Sequence, residues 1–266
     1  MGECMASVAA IHDRAPLEIS RVLSAAFGLI RHYPARVFGL GLLFGAVPER
    51  VAHYLFSVLG LGAEGSAATN RATSILEFGT GLAIAVLVAG ALAGTAIGVA
   101  EGGRPSFAVG VQPAIRKLGA LVIVALLYAV GCLIGMIALL IPFIFLSVRW
   151  SVVAPVLVLE SFGSSAAFGR SSALTEGARG RIFGLLLLTG IGTLLIAMVF
   201  LTALVLLTGD IQAGDYSSWD PVGLTIQLAM LSTTSGISAA VQCALYITLR
   251  ERAEGPLDCR LSQIFE

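Results

Sequence analysis

Between Arg181 and Asp210 the chain passes through Ile182–Thr208 without a single charged side chain. Coiled as a helix at 1.5 Å per residue, such a run is longer than the roughly 30 Å of hydrocarbon in a bilayer. Composition agrees that lipid is the solvent. The 266 residues are 57% hydrophobic and 12% charged, with a mean hydropathy of +0.94, whereas a soluble domain carries about 25% charged residues. The expected fold class is an all-α integral membrane protein.

Six apolar segments, over about 37–59, 75–100, 118–140, 142–159, 182–208 and 222–249, predict six transmembrane helices in one membrane domain covering 1–266. Ahead of the first, Ile19, Val22, Leu23, Ala26, Phe27 and Ile30 recur at helical spacing opposite Glu18, Arg21 and Arg31. That pattern predicts an amphipathic interfacial helix over 15–33. A second begins at Phe107, ends at Arg116-Lys117 and is bent by Pro113. Almost nothing separates the third and fourth segments, so the turn at Ile141-Pro142 is very tight or the pair crosses only part of the bilayer. Gly90, Gly94 and Gly98 bare one helix face, as do Gly41/Gly45 and Gly131/Gly135, and another helix can pack closely there.

The formal net charge is zero, but the basic residues are unevenly placed. With the N-terminus inside, Arg14, Arg21, Arg31, Arg36, Arg104, Arg116, Lys117, Arg170, Arg179, Arg181, Arg250, Arg252 and Arg260 all fall on the cytoplasmic side, and only Arg71 falls outside. The excess of Lys and Arg in cytoplasmic loops predicts that both termini are cytoplasmic. Three times, at 19–36, 107–117 and 166–181, a short segment ends in a basic cluster and leads into a pair of spans. Three repeated hairpins are one explanation, and chance similarity among membrane hairpins is the other.

Several classes of site are not expected. No cluster of Lys and Arg dominates a domain, so nucleic acid is not a partner. Cys4, Cys132, Cys243 and Cys259 form no C-x-x-C pair, which argues against a disulfide framework and against zinc. The acids of 209–221 lack the spacing and glycine of a calcium loop, so no metal and no cofactor is expected. Gly60-Leu-Gly62-Ala-Glu-Gly65 has the letters of a dinucleotide fingerprint, but it leaves a membrane span instead of joining a strand to a helix. His12, His32 and His53 belong to no H-E-x-x-H, and neither G-x-S-x-G nor a P-loop occurs. No catalytic residues are assigned, and the chain is not expected to be an enzyme.

Charged groups inside spans cost roughly 2.5 to 3.5 kcal/mol each, so they need partners or water. Glu49, Arg50, His53, Glu77 and Arg149 therefore form the candidate intramembrane polar or lipid site. Arg149 has three roles open to it: pairing with Glu49, holding a lipid phosphate, or fixing helix packing. His53 is either a proton relay or a packed histidine. Arg116, Lys117, Arg170, Arg179 and Arg181 are the candidate contacts to lipid head groups.

The run Pro142…Val148-Arg149-Trp150…Pro155-Val156…Glu160, followed by Ala167…Arg170-Ser171…Leu174-Thr175…Gly177…Arg181, resembles a bacterial multipass family. That family is typified by the membrane domain of glycerophosphoryl diester phosphodiesterases, and Tyr246…Leu249-Arg250…Glu254-Gly255 resembles its closing signature. The resemblance covers the second half of the chain, and the first half matches in layout. It implies a six-helix membrane domain, found alone or fused to a soluble enzyme. After the sixth span there is no room for a catalytic barrel of about 250 residues, so phosphodiesterase activity is not expected.

Three functions follow. The first is a non-catalytic membrane protein that binds or organises phospholipid, whose partners are the bilayer and a bound lipid. The second is a small transporter using Glu49, His53, Glu77 and Arg149. The third is a structural subunit with a membrane-protein partner, favoured by the glycine faces.

Overall fold

Every described element of the chain is a helix. The structure is a computed structural model that describes residues 17–59, 67–100, 107–138, 140–160, 163–208 and 221–254. The dinucleotide-like motif, the acidic loop before Pro221, Cys4, Cys259, His12, Arg14, Arg104 and Arg260 lie outside the described residues. In order come α1 (Ile19–His32), α2 (Pro34–Gly41), a π-helical turn (Leu42–Ala46), α3 (Val47–Val58) and α4 (Ala67–Ala100). They are followed by α5 (Phe107–Arg116), α6 (Leu118–Ala138), α7 (Leu140–Arg149), α8 (Val153–Leu159), α9 (Ser164–Leu174), α10 (Arg179–Thr208) and α11 (Pro221–Glu254).

Among the described residues five segments are long and apolar enough to cross a membrane: Thr73–Val99, Leu118–Met136, Ile141–Leu159, Arg179–Leu207 and Pro221–Glu254. This is a membrane protein built of helices. The segment 37–59 is not among the five. It carries Glu49 and Arg50 at its centre, and its helix is divided into α2, the π turn and α3. Pro48 accounts for the division, since it has no N–H to give the carbonyl of Phe44 and its ring crowds that carbonyl. The ladder widens just before it, where the Val47 N–H bonds to the Leu42 carbonyl, five residues back.

Prolines also place the other interruptions. Helix α7 already starts at Leu140, so the hairpin turn precedes the expected Ile141-Pro142. Pro142 sits in the first turn of α7, where a missing N–H costs nothing. Pro155 cannot donate to Ser151, and the chain turns over 150–152, with the Val153 N–H reaching the Trp150 carbonyl at 3.1 Å. Pro113 lies inside α5, which continues to Arg116. Helix α4 begins at Ala67, within the stretch expected to be a loop before 75.

Helices α4 and α11 form the centre, and α5, α6, α8, α10, α1 and α2 pack on one or the other. The stub α8 is enclosed, with Val153 through Val158 all buried. Glycine faces are where backbones meet. A side chain at Gly41 would strike the Ser232 carbonyl, one at Gly94 the Gly110 carbonyl, and one at Gly131 the Trp150 ring 2.6 Å away. Helix α1 buries Val22, Ala26 and Leu29 against the bundle, whereas Phe27 is 67% exposed and turns outward. Helix α10 is peripheral, with 6% of its most apolar window buried. Its Leu187, Leu188, Leu194, Leu195 and Val199 face out of the bundle, as lipid-facing side chains do.

Candidate functional site

The break after Arg149 organises the polar interior. In an unbroken helix the Arg149 carbonyl would accept from Val153, and here it does not. Instead Ser171 Oγ donates to it at 3.0 Å and Thr175 Oγ1 at 3.4 Å. Two hydroxyls of α9 and the turn after it therefore satisfy the orphan carbonyl. Arg149 Nε donates to Ser172 Oγ at 2.6 Å, and Ser172 in turn donates to the Phe168 carbonyl at 2.8 Å. Gly177, with φ 74°, then turns the chain into α10, a conformation in which a Cβ would be strained.

No ion pair joins Arg149 to Glu49, so that one of its three open roles is not taken up, and among the described residues no carboxylate pairs with Arg149. The reason is topological. Glu49 lies on α3, which packs on α4 and the π turn, whereas α7 packs on α6 and α10. The Arg179 guanidinium lies 5.3 Å from the ring centroid of Phe145, one turn before Arg149 on the same face of α7. Arg179 Nε is buried without a hydrogen bond.

Between α4, α6, α7, α8, α10 and α11 lies a cavity of about 460 Å³. Its wall is mostly apolar, with Val86, Phe143, Val148, Leu186 and Gly190 among the residues lining it. Trp150, held edge-on against Phe168 with centroids 4.9 Å apart, forms part of the wall. Ser151 and Gln242 also line it. Ser151 Oγ is buried and unbonded, and the Gln242 side chain makes no hydrogen bond among the described residues.

The remaining predicted residues fall into other groups. Arg50 Nη1 donates to Gln227 Oε1 on α11 at 2.6 Å, and His53 Nδ1 lies 3.3 Å from Glu77 Oε1 on α4. These contacts tie the broken first segment to the two central helices. Glu49, half-buried, joins neither contact. Lys117 Nζ donates to the Leu157 and Val158 carbonyls at 2.9 and 3.1 Å. It thus caps the C-terminal end of α8, where burial holds its ammonium below the usual lysine range. Arg170 Nε donates to Glu160 at 2.8 Å and its Nη2 pairs with Glu254, while the Tyr246 hydroxyl donates to Glu160 at 2.8 Å. Lys117 and Arg170, expected at head groups, are therefore engaged within the protein, because each lies beside an acceptor that burial would otherwise leave unpaired. Arg116 and Arg181 are exposed.

Four residues at these sites, Ser151, Ser172, Gln227 and Gln242, were not singled out from the sequence. An amide within an apolar helix was the available signal for Gln227 and Gln242, because a polar group in lipid needs a partner. A serine carries no such signal, since its hydroxyl is ordinarily satisfied by the carbonyl one turn back.

These features define a helical membrane protein with a polar cluster around Arg149 and a mostly apolar cavity between its helices. No protein-family model, no curated protein and no solved structure matches the chain.

Proposed function

We propose that this is a non-catalytic, six-span protein of the bacterial inner membrane, with both termini cytoplasmic, that binds or organises phospholipid. Arg149 carries the reading. Its one hydrogen bond among the described residues uses Nε, so both terminal nitrogens are left to bind a phosphate in the paired geometry that guanidinium favours. Arg179, over the Phe145 ring one turn before Arg149, is a further cation on this side of α7, and exposed Arg116 and Arg181 suit an anionic lipid surface.

In this reading α2, the π turn and α3 together make the sixth span. Three repeats then begin at the short helices α1, α5 and α9, each followed by two long segments. The resemblance to the membrane domain of glycerophosphoryl diester phosphodiesterases supports this layout. Glu160, Arg170, Tyr246, Arg250 and Glu254, all part of the resemblance, meet in one hydrogen-bonded group. Phosphodiesterase activity is not part of the proposal.

The test is native mass spectrometry of protein extracted gently from its own membrane, beside Arg149→Ala prepared identically. Phospholipid retained by the wild type and lost from the variant is the expected result. Equal retention, or bare wild-type protein, refutes the reading.

Transport is the second reading, favoured by the Arg50–Gln227 and His53–Glu77 contacts around a broken helix. It requires proton- or substrate-dependent flux that fails in Glu49→Gln, and normal flux in that variant ends it.

A further inference from the structure

We infer that the cavity between α4, α6, α7 and α10 is a binding site for a flat, uncharged lipophilic molecule dissolved in the bilayer, and that this guest enters from the side, between α7 and α10.

Depth decides what can reach the cavity. Val86 and Trp150, both in its wall, stand at the midpoints of the spans Thr73–Val99 and Ile141–Leu159, and Tyr128 stands beside that of Leu118–Met136. Phe183, Leu187 and Gly190 bring α10 to the same wall from within Arg179–Leu207. These three are also exposed on the outside of the bundle, whereas Val86, Val153 and Ala154 of the wall are buried. The mouth therefore lies along α10 and opens into hydrocarbon. Helix α10 is loosely held there. A side chain at Gly190 or Gly192 would meet nothing within 4 Å, while one at Gly41, Gly94 or Gly131 would collide with a neighbouring helix.

The wall then selects the guest. None of the described lining residues is charged, and a polar solute would lose its hydration without replacement. Ser147 Oγ donates to the Phe143 carbonyl at 2.8 Å, and the Ser151 hydroxyl is sealed within the protein, so neither asks for a ligand atom. Apolar cavities of this kind stay dry and take up apolar guests. The volume, about 460 Å³, lies within the range of small-molecule sites, about 300 to 1,000 Å³. Shape follows from the aromatic residues. Tyr128, Phe143, Trp150 and Phe183 all belong to the wall, and Trp150 is set by Phe168 and Tyr128, with centroids 4.9 and 6.3 Å away. A ring packed against such a ring gains about two- to tenfold in affinity beyond the area it buries. A flat guest collects that gain, while a flexible chain does not and also loses rotamer freedom on entry.

The experiment uses the full chain in phosphatidylcholine nanodiscs with Trp219→Phe, which leaves Trp150 as the only tryptophan. The probe is 1-bromonaphthalene, a heavy-atom quencher, and the readout is Trp150 fluorescence. Quenching that saturates near one probe per chain and is reversed by naphthalene is expected. Gly190→Leu and Ala85→Phe add bulk from α10 and α4 and should each weaken binding by at least about tenfold. Gly192→Leu, equally free of clashes, should bind as the wild type does. Phe183→Leu keeps the wall apolar but removes a ring, and should weaken binding by about two- to tenfold. Arg149→Ala should leave the probe's affinity unchanged, so this site and the phospholipid reading stand or fall separately.

Quenching that rises without saturation, alike in all variants, is partition into the bilayer and refutes the site. Wild-type binding by both Gly190→Leu and Ala85→Phe refutes the cavity as its place. Wild-type binding by Phe183→Leu refutes the selection of a flat guest and leaves the cavity to lipid tails.

Discussion

Replacing Arg170 with methionine removes a cation that joins the end of α8, α9 and α11. In the wild type Arg170 donates to Glu160 at 2.8 Å and to Glu254, and the side chains of Glu160 and Glu254 are only 10% and 21% exposed. After the substitution Glu160 keeps, among the described residues, the Tyr246 hydroxyl, while Glu254 keeps Arg250 at 3.3 Å. Breaking a buried ion pair from one side costs about 3 to 5 kcal/mol, chiefly because a charge stays buried without its partner. Arg170 itself is 26% exposed and neither carboxylate is left without a partner, which sets the expected loss at the lower end, about 3 kcal/mol. The assay is unfolding by a denaturing detergent titrated into mixed micelles, read by circular dichroism. A second substitution tests the cause. If the loss is the stranded charge of Glu160, then Glu160→Gln in the Arg170→Met background should recover about 1 to 2 kcal/mol, although Glu160→Gln alone destabilises. A single Arg170→Met variant within about 0.5 kcal/mol of the wild type, as for a surface side chain, would refute the reasoning.

Two further outcomes are expected. Gly41→Ala places a methyl against the Ser232 carbonyl of α11, a backbone atom that cannot rotate away, and should cost about 1 to 3 kcal/mol in the same assay. Gly39→Ala, two residues earlier on α2 with nothing within 4 Å, should be neutral or add up to about 1 kcal/mol, and equal effects at the two sites would contradict the packing described. For the orientation, Cys132 and Cys243 are buried and should be silent. A membrane-impermeant maleimide should therefore label Cys4 and Cys259 only after cells are permeabilised, and labelling of intact cells would invert the topology.

The parts of the fold legible in the sequence were those governed by local chemistry. Hydropathy located the long helices because burial in lipid depends on each residue's own side chain, and the amphipathic spacing at Ile19–Ile30 located α1. Where a helix breaks was only half legible. Pro48 and Pro155 mark the positions, but the neighbouring geometry follows from tertiary packing, such as the close contact of Gly45 with Ser235 across α11. Partners were less legible still, because Arg149 had to choose among polar groups anywhere in the chain. It took Ser172, and Glu49 stayed on α3, which packs on α4 and the π turn. That choice bears on the function. Lys117, Arg170 and Arg50 each have an acceptor within the protein, which accounts for their burial by structure alone. Arg149 is held through Nε alone, by Ser172, so the packing of the bundle leaves both of its terminal nitrogens for an anionic group, which is what a phospholipid-binding role requires of it.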